Sequence, residues 1–321
     1  MVKALQAARA GGPEVLEYVD VEVGGPGPGE IRLRHGAIGV NYIDTYHRAG
    51  TYPGSGFPRV LGVEGAGEVT AIGEGVTTAK LGDRVCYPLG PGAYCAERLI
   101  NAGMVVPVPD GISDEQAAAA ITKGITVHHL YSRVRQVKSG DWVLFHAAAG
   151  GVGLFACQWA KHIGAKLIGT VSSDAKAKLA RDNGAVETID YTQEDFVARV
   201  KDITGGDGVA LVVDGIGSDN PTKSAQCLAA YGTLTTIGQA AGPTTMTIDD
   251  LPASVLYTKG SIATLLGRLD ELRESAAAFF DLVQSGAIKI SVNHTYALKD
   301  GAQAHTDLQA RKTTGSIILK P

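Results

Sequence analysis

The stretch "HAAAGGVGLFACQWAKHIGAKLIGTVSSDAK", His146 to Lys176, decides how the rest of the chain is read. The apolar segment "WVLFH" (142–146) leads into it, and "GLFACQWAKHIG" continues it with helical spacing closed by Gly164. Strand, glycine turn and helix, in that order, form the setting in which G-x-G-x-x-G holds a dinucleotide pyrophosphate. Here the three positions are Ala148, Gly150 and Gly153. Gly150 permits close approach of the pyrophosphate, and Gly153 permits close packing of helix on strand. The helix opening at Gly151 and Val152 offers backbone N–H groups and the positive end of its dipole. Alanine at 148 is compatible with this role if the turn there needs no positive φ. The segment reads as a dinucleotide site.

The end of the second β-segment selects the dinucleotide. An NAD-binding fold places an acidic residue about twenty residues beyond the glycines, to accept from the ribose 2′-hydroxyl. In "TVSSDAK" that place holds Ser172 and Ser173, with Asp174 one step later, Lys176 at the start of the next helix, and Tyr191 ending the third β-segment. Hydroxyl donors and a cation suit a 2′-phosphate, which a carboxylate would repel. The expected cofactor is NADPH.

Working outward, strands and helices alternate on both sides of this loop. The β-segments are "WVLFH", "KLIGTV" (166–171), "VETID" (186–190), "ALVVD" (210–214) and "TLTTI" (233–237), with "SIATL" (261–265) as a sixth. Such alternation implies a parallel sheet covered on both faces. Ligands bind beyond the carboxyl ends of strands in these sheets, which adds Asp214, Gly215, Gly238 and Gln239 as cofactor contacts. Before residue 110 the texture differs: short β-segments broken by glycine, such as "EIRLRHGAIGV" and "GAGEVTAIGEGV", read as an irregular all-β domain. Ser113 three residues before Gln116, ahead of an alanine run, marks a helix start. After "ELRESAAAFFDLVQSG", a strand, a helix and "GSIILKP" lack a core of their own and are expected to return to the first domain.

Composition narrows the partners. With 33 acidic against 29 basic residues the net charge is −4, which gives no general attraction to nucleic acid or anionic membranes. Glycine, 42 of 321 residues, recurs in strand-like sequence and points to many tight turns. Cys86, Cys95, Cys157 and Cys227 form neither a CxxC pair nor a disulfide framework. No apolar run approaches a membrane span and the first residues lack a signal-peptide core, so a reducing cytoplasm is expected.

The whole pattern resembles the zinc-free medium-chain dehydrogenase/reductases, and among them the zeta-crystallin-type NADPH:quinone oxidoreductases. "GVNYIDTYHRAGTYP" (39–53), "VLGVEGAGEV" (60–69), "KGITVHHL" (123–130), "HAAAGGVG" (146–153) and "ARKTTGSIIL" (310–319) carry the resemblance over essentially the full length. It implies a GroES-like β domain (1–122 with 265–321) and a Rossmann doubly wound domain (123–264), with the acceptor in the cleft between them. It places Asn41 beside the nicotinamide ribose, Tyr46 and Tyr52 facing a planar quinone or similar electrophile, Lys123 and Thr126 bordering the nicotinamide as they open the helix into the cofactor domain, and Arg311 on the 2′-phosphate. It also implies a homodimer. Loop stabilisation for Asn41, packing for the tyrosines and a solvated lysine at 123 are the plain alternatives. Zinc-dependent relatives have cysteine at the position of Asn41 and histidine at that of Val63. With Glu64 alone remaining, no three-ligand zinc site is expected. Similar enzymes often carry an arginine after "KGS", where this chain has leucines until Arg268. His128 and His129 are read as structural. Rival readings are an alkenal or enoyl double-bond reductase, and a non-catalytic NADPH-binding protein with an RNA-binding role.

Overall fold

A computed structural model of the chain describes residues 1–52 and 56–321. In chain order it contains β1 (Val2–Ala7), β2 (Leu16–Val21), β3 (Glu30–Val40), α1 (Tyr42–Arg48), β4 (Arg59–Val60), β5 (Glu64–Ile72), β6 (Arg84–Tyr87), β7 (Glu97–Asn101), β8 (Val106–Pro107) and α2 (Asp114–His128). Then come β9 (Trp142–Phe145), α3 (Gly151–Ile163), β10 (Lys166–Val171), α4 (Asp174–Asp182), β11 (Glu187–Asp190), α5 (Phe196–Ile203), β12 (Val209–Asp214), α6 (Asn220–Ala225), β13 (Leu228–Thr236) and β14 (Leu256–Lys259). The chain ends with α7 (Leu269–Gln284), β15 (Val292–Ala297), α8 (Gly301–Gln309) and β16 (Ser316–Lys320).

Two compact units result: residues 1–125, 263–280 and 290–321, and residues 126–262 with 281–289. In the first, β15-β16-β3-β5-β6-β8, with β7 also on β3, make a seven-stranded sheet, and β2-β1-β4 make a second of three strands. The C-terminal strand returns as expected, β16 pairing antiparallel with β3 so that Ile318 faces Gly39. Leu5, Ile31, Leu33, Ile38, Tyr94 and Leu319 are central to its core. α2 begins as the capping box required: Gln116 N–H donates to Ser113 Oγ (3.2 Å) and Ser113 N–H to Gln116 Oε1 (3.0 Å).

In the second unit the strand order is β11-β10-β9-β12-β13-β14, every neighbour parallel. That is the doubly wound order, with its reversal at β9. Leu144, Ile168, Val212 and Leu234, one from each central strand, meet in its core. Two expectations need correction. The sixth strand is "LYTK", not "SIATL"; residues 262–267 form a tight 3-10 turn instead. β-branched and aromatic Tyr257 and Thr258 suit the pleat, whereas Gly260 and Gly267 bracket the expected segment with turn residues. The first unit is also not all-β, because "YIDTYHR" is helical.

Candidate functional site

The glycine loop turns where β9 meets α3. The left-handed residue there is Ala147, at φ 55°, so Ala148 is relieved of the conformation that would demand glycine. Ala148 has a second reason to be tolerated. A Cβ added to Gly169, on neighbouring β10, would lie 2.5 Å from the Ala148 methyl. The glycine missing from the fingerprint is thus compensated on the adjacent strand. Gly153 keeps its expected role, since a Cβ there would come within 2.6 Å of the carbonyls of Ala147 and Ala148. At Gly150 a Cβ would meet only the Ala147 carbonyl, at 3.1 Å. No side chain caps α3, whereas Ser173 and Asp195 cap α4 and α5. The first turn of α3 therefore retains its capacity for an anion. Gly169→Ala is expected to cost about 1–3 kcal/mol by overpacking, and the added Ala148→Gly change to recover most of it. Urea unfolding of the three proteins checks this; equal midpoints would refute the compensation.

Around the loop, a buried polar layer ties the strand ends together. His146 lies 3.0 Å from Thr170 Oγ1 on β10 and 2.8 Å from Ser224 Oγ on α6. Asp214, wholly buried, accepts from Ile216 and Gly217 N–H and from Asn220 Nδ2 (2.6 Å). Its carboxylate shapes the 215–217 turn just beyond β12. That turn packs on the segment after β13: a Cβ on Gly217 would lie 2.9 Å from Gln239 Cα, and Ala240 N–H donates to the Gly215 carbonyl. Gly215, Gly238 and Gln239 thus stand together just beyond the carboxyl ends of β12 and β13.

At the end of β10, Lys176 Nζ lies 3.3 Å from Ser172 Oγ, and Ser173 Oγ accepts the Lys176 N–H at 3.4 Å as the α4 cap. Ser172, Ser173 and Lys176 are brought together; Tyr191 follows β11, the strand paired with β10. Asp174 occupies the first turn of α4. Arg311 belongs to the first unit and sits at φ 58°, a conformation an arginine adopts at a cost. Arg268 is exposed and pairs with Glu271 at 2.9 Å.

In the first unit the sequence-selected Asn41 lies in a cluster centred on Glu64. Asn41 Nδ2 and Lys123 Nζ both donate to Glu64 Oε1, each at 2.6 Å, and Thr122 N–H donates to Oε2 at 2.9 Å. Glu64 and Lys123 are 0% and 3% exposed. Gly39, opposite Glu64 in the β3–β5 register, makes the space: a Cβ there would lie 2.2 Å from Glu64 Oε1. Lys123 and Thr126 stand in the last turns of α2, not at its opening, and the ammonium of Lys123 is committed to Glu64. The Glu64–Lys123 pair was missed in sequence. Its signal was a lone lysine inside the apolar run "AAAAITKGITV", which must be buried and therefore paired.

Helix α1 carries Tyr42 and Tyr46, and Tyr52 follows four residues beyond its end. The Tyr46 ring centroid lies 5.0 Å from that of Tyr52 and 5.6 Å from that of Tyr42, so the three phenols form one aromatic cluster with the buried Tyr46 at its centre. Burial raises the Tyr42 hydroxyl's pKa, partly offset by the charges of Arg311 and Arg48. Asp44 Oδ2 accepts from Asn41 N–H (2.8 Å) and Tyr94 Oη (2.9 Å), while Oδ1 has no partner among the described residues. Burial accordingly pushes this carboxyl up to about 7. Among the described residues no group of three His, Cys, Asp or Glu is placed to hold a metal ion.

Comparison with known proteins agrees with this architecture. Residues 27–113 match the alcohol dehydrogenase GroES-like domain family, and residues 151–281 match the zinc-binding dehydrogenase family. The chain is 47% identical to a quinone oxidoreductase of Pseudomonas aeruginosa, with both sequences covered completely. It is 42% identical to a 2-haloacrylate reductase of a Burkholderia species, covering 100% of this chain and 99% of that one. The crystal structure of an Escherichia coli quinone oxidoreductase complexed with NADPH superimposes with a TM-score of 0.96 at 42% identity, covering 99% and 100% of the two chains.

Proposed function

Because the chain belongs to the zinc-free medium-chain dehydrogenase/reductases of the zeta-crystallin quinone oxidoreductase type, we propose that it is an NADPH-dependent oxidoreductase that reduces quinones. The observation that carries the cofactor is the uncapped α3 N-terminus behind Gly150, combined with hydroxyls and a lysine at the end of β10. Gly150, Gly151, Val152 and Gly153 would hold the pyrophosphate, and Ser172, Ser173, Lys176, Tyr191 and Arg311 the 2′-phosphate side. When bound, the cofactor supplies the hydride. The protein's own share is orientation and exclusion of water. Tyr46 and Tyr52 offer ring faces to a planar acceptor and hydroxyls to its carbonyl oxygen. Asn41 has one N–H committed to Glu64, which leaves its second N–H for cofactor or acceptor.

Turnover of a benzoquinone and of an α,β-unsaturated aldehyde or acid, each with NADPH, tests the reading. Quinone turnover is expected to dominate, to survive a strong chelator, and to fall no more than about tenfold in Tyr46→Phe or Tyr52→Phe, the effect of one modest hydrogen bond. A thousandfold loss from either substitution would indicate general-acid chemistry, and with it reduction of an activated double bond, as the name of the Burkholderia relative suggests.

The chain is also assigned to a homodimer in a reducing cytoplasm. Strand β14 ends its sheet, and Leu256 and Tyr257 on it are exposed at 61% and 37%, an edge suited to pairing with a second copy. The four cysteines are free and buried, as suits a reducing compartment, and no described helix is long and apolar enough to cross a membrane. Mass in solution tests the dimer; a monomer at micromolar concentration would overturn it.

A further inference from the structure

Helix α1 has only seven residues, too few to hold an orientation by itself. Tyr42 and Tyr46 are four apart, as are Asp44 and Arg48, so each pair shares a face. The two faces are two residues apart, about 200° around the helix. On the Asp44–Arg48 side the hydrogen bonds close a ring. Tyr94 Oη donates to Asp44 Oδ2 at 2.9 Å; His305 Nε2 lies 2.9 Å from the same hydroxyl; His305 Nδ1 lies 2.9 Å from Arg48 Nη1, one turn along α1. A guanidinium only donates, so Nδ1 accepts, Nε2 bears the hydrogen and donates to Tyr94, and Tyr94 gives its own hydrogen to Asp44. Burial, with the charge of Arg48, lowers His305 to about 3, so the imidazole stays neutral near neutral pH, and Asp44 Oδ2 can accept from Tyr94 in either state of the carboxyl because the unpartnered Oδ1 is open to a proton. Arg48 also donates to the Gly11 carbonyl (3.0 Å) and to Gln309 Oε1 (2.8 Å). Asp44, Arg48, Tyr94 and His305 are all at most 2% exposed.

We propose that Tyr94 and His305 are positioning residues for the acceptor: they fix the roll of α1 and thereby place the ring of Tyr46 and, through its packing on that ring, Tyr52. The proposal rests on the reading of those tyrosines as the acceptor surface. Both residues are buried on the side of α1 away from the tyrosines, so they act through the helix. Removing a link lets α1 turn while the cofactor-binding unit is untouched.

The test is Tyr94→Phe, which keeps the ring and deletes the bridging hydroxyl, assayed with a benzoquinone and NADPH. The quinone KM is expected to rise about tenfold, with kcat and the NADPH Kd within about twofold. In a Tyr46→Ala background the same change is expected to alter the quinone KM less than about twofold, because its target is gone. His305→Gln retains an acceptor and a donor and is expected to keep the parent KM within about threefold. A Tyr94→Phe protein with lowered Tm but parent KM, or effects that add fully with Tyr46→Ala, overturns the positioning role and leaves the acceptor surface intact. If Tyr46→Ala itself leaves the quinone KM unchanged, the acceptor-surface reading fails, and the proposal with it.

Discussion

Replacing Lys123 by methionine is expected to destabilise the protein by about 3–5 kcal/mol, the cost of leaving one partner of a buried ion pair uncompensated. Glu64 would then keep Asn41 Nδ2 and Thr122 N–H as donors, but its charge would stand in a site from which solvent is excluded. The double variant Glu64→Gln/Lys123→Met is expected to recover at least half of the loss. A neutral amide at position 64 still offers an acceptor to Thr122, and the Asn41 amide can turn over to accept from the other end. Unfolding in urea measures all three proteins. A single-variant loss below about 1 kcal/mol would be the value of a solvated pair and would refute the burial argument. The same pair explains how a site with Asn41 and Val63 manages Glu64: an ammonium and an amide satisfy the carboxylate.

NADPH is expected to bind at least tenfold more tightly than NADH, and Lys176→Ala or Arg311→Ala to weaken NADPH by about ten- to a hundredfold while barely changing NADH. Hydrogen bonds to a charged group contribute roughly 1.5–3 kcal/mol each, which is that range in Kd. Lys176 is already turned toward Ser172, and Ser173 holds the start of its helix. Arg311 adds an independent sign. Its φ of 58° is one that glycine adopts without penalty, so Arg311→Gly relieves backbone strain of about 1 kcal/mol even as it removes the cation. That variant is expected to lose NADPH affinity without losing stability, a combination that a general folding defect does not produce. Titrations of both cofactors by fluorescence, with a melting curve for each protein, supply the readouts. Equal affinity of the parent for both cofactors, or equal weakening of both by the substitutions, would remove the 2′-phosphate assignment.

Features legible in the sequence are those whose physics is local. Hydrophobic period, the Ser113–Gln116 cap and the glycines closing α3 and α4 act between residues a few positions apart, and they identify the alternating unit, its loop and its boundary with the β-rich unit. The two serines ending β10 likewise speak through side-chain chemistry alone. Helix α1 was not legible, because "YIDTYHR" is short and rich in residues of modest helix propensity, and its anchors Tyr94 and His305 lie 50 and 257 positions from the residues they hold. Sheet register decided the Ala148–Gly169 exchange, since only the pairing of β9 with β10 brings those two positions together. Burial decided Lys123: the sequence by itself determined that a lysine stands in an apolar helix, and only the folded chain brought Glu64, 59 residues away, to meet it. The division follows from the reach of the forces. Caps and periods are set before the chain closes, whereas a buried charge or a close Cβ contact has meaning only when distant segments exclude water together.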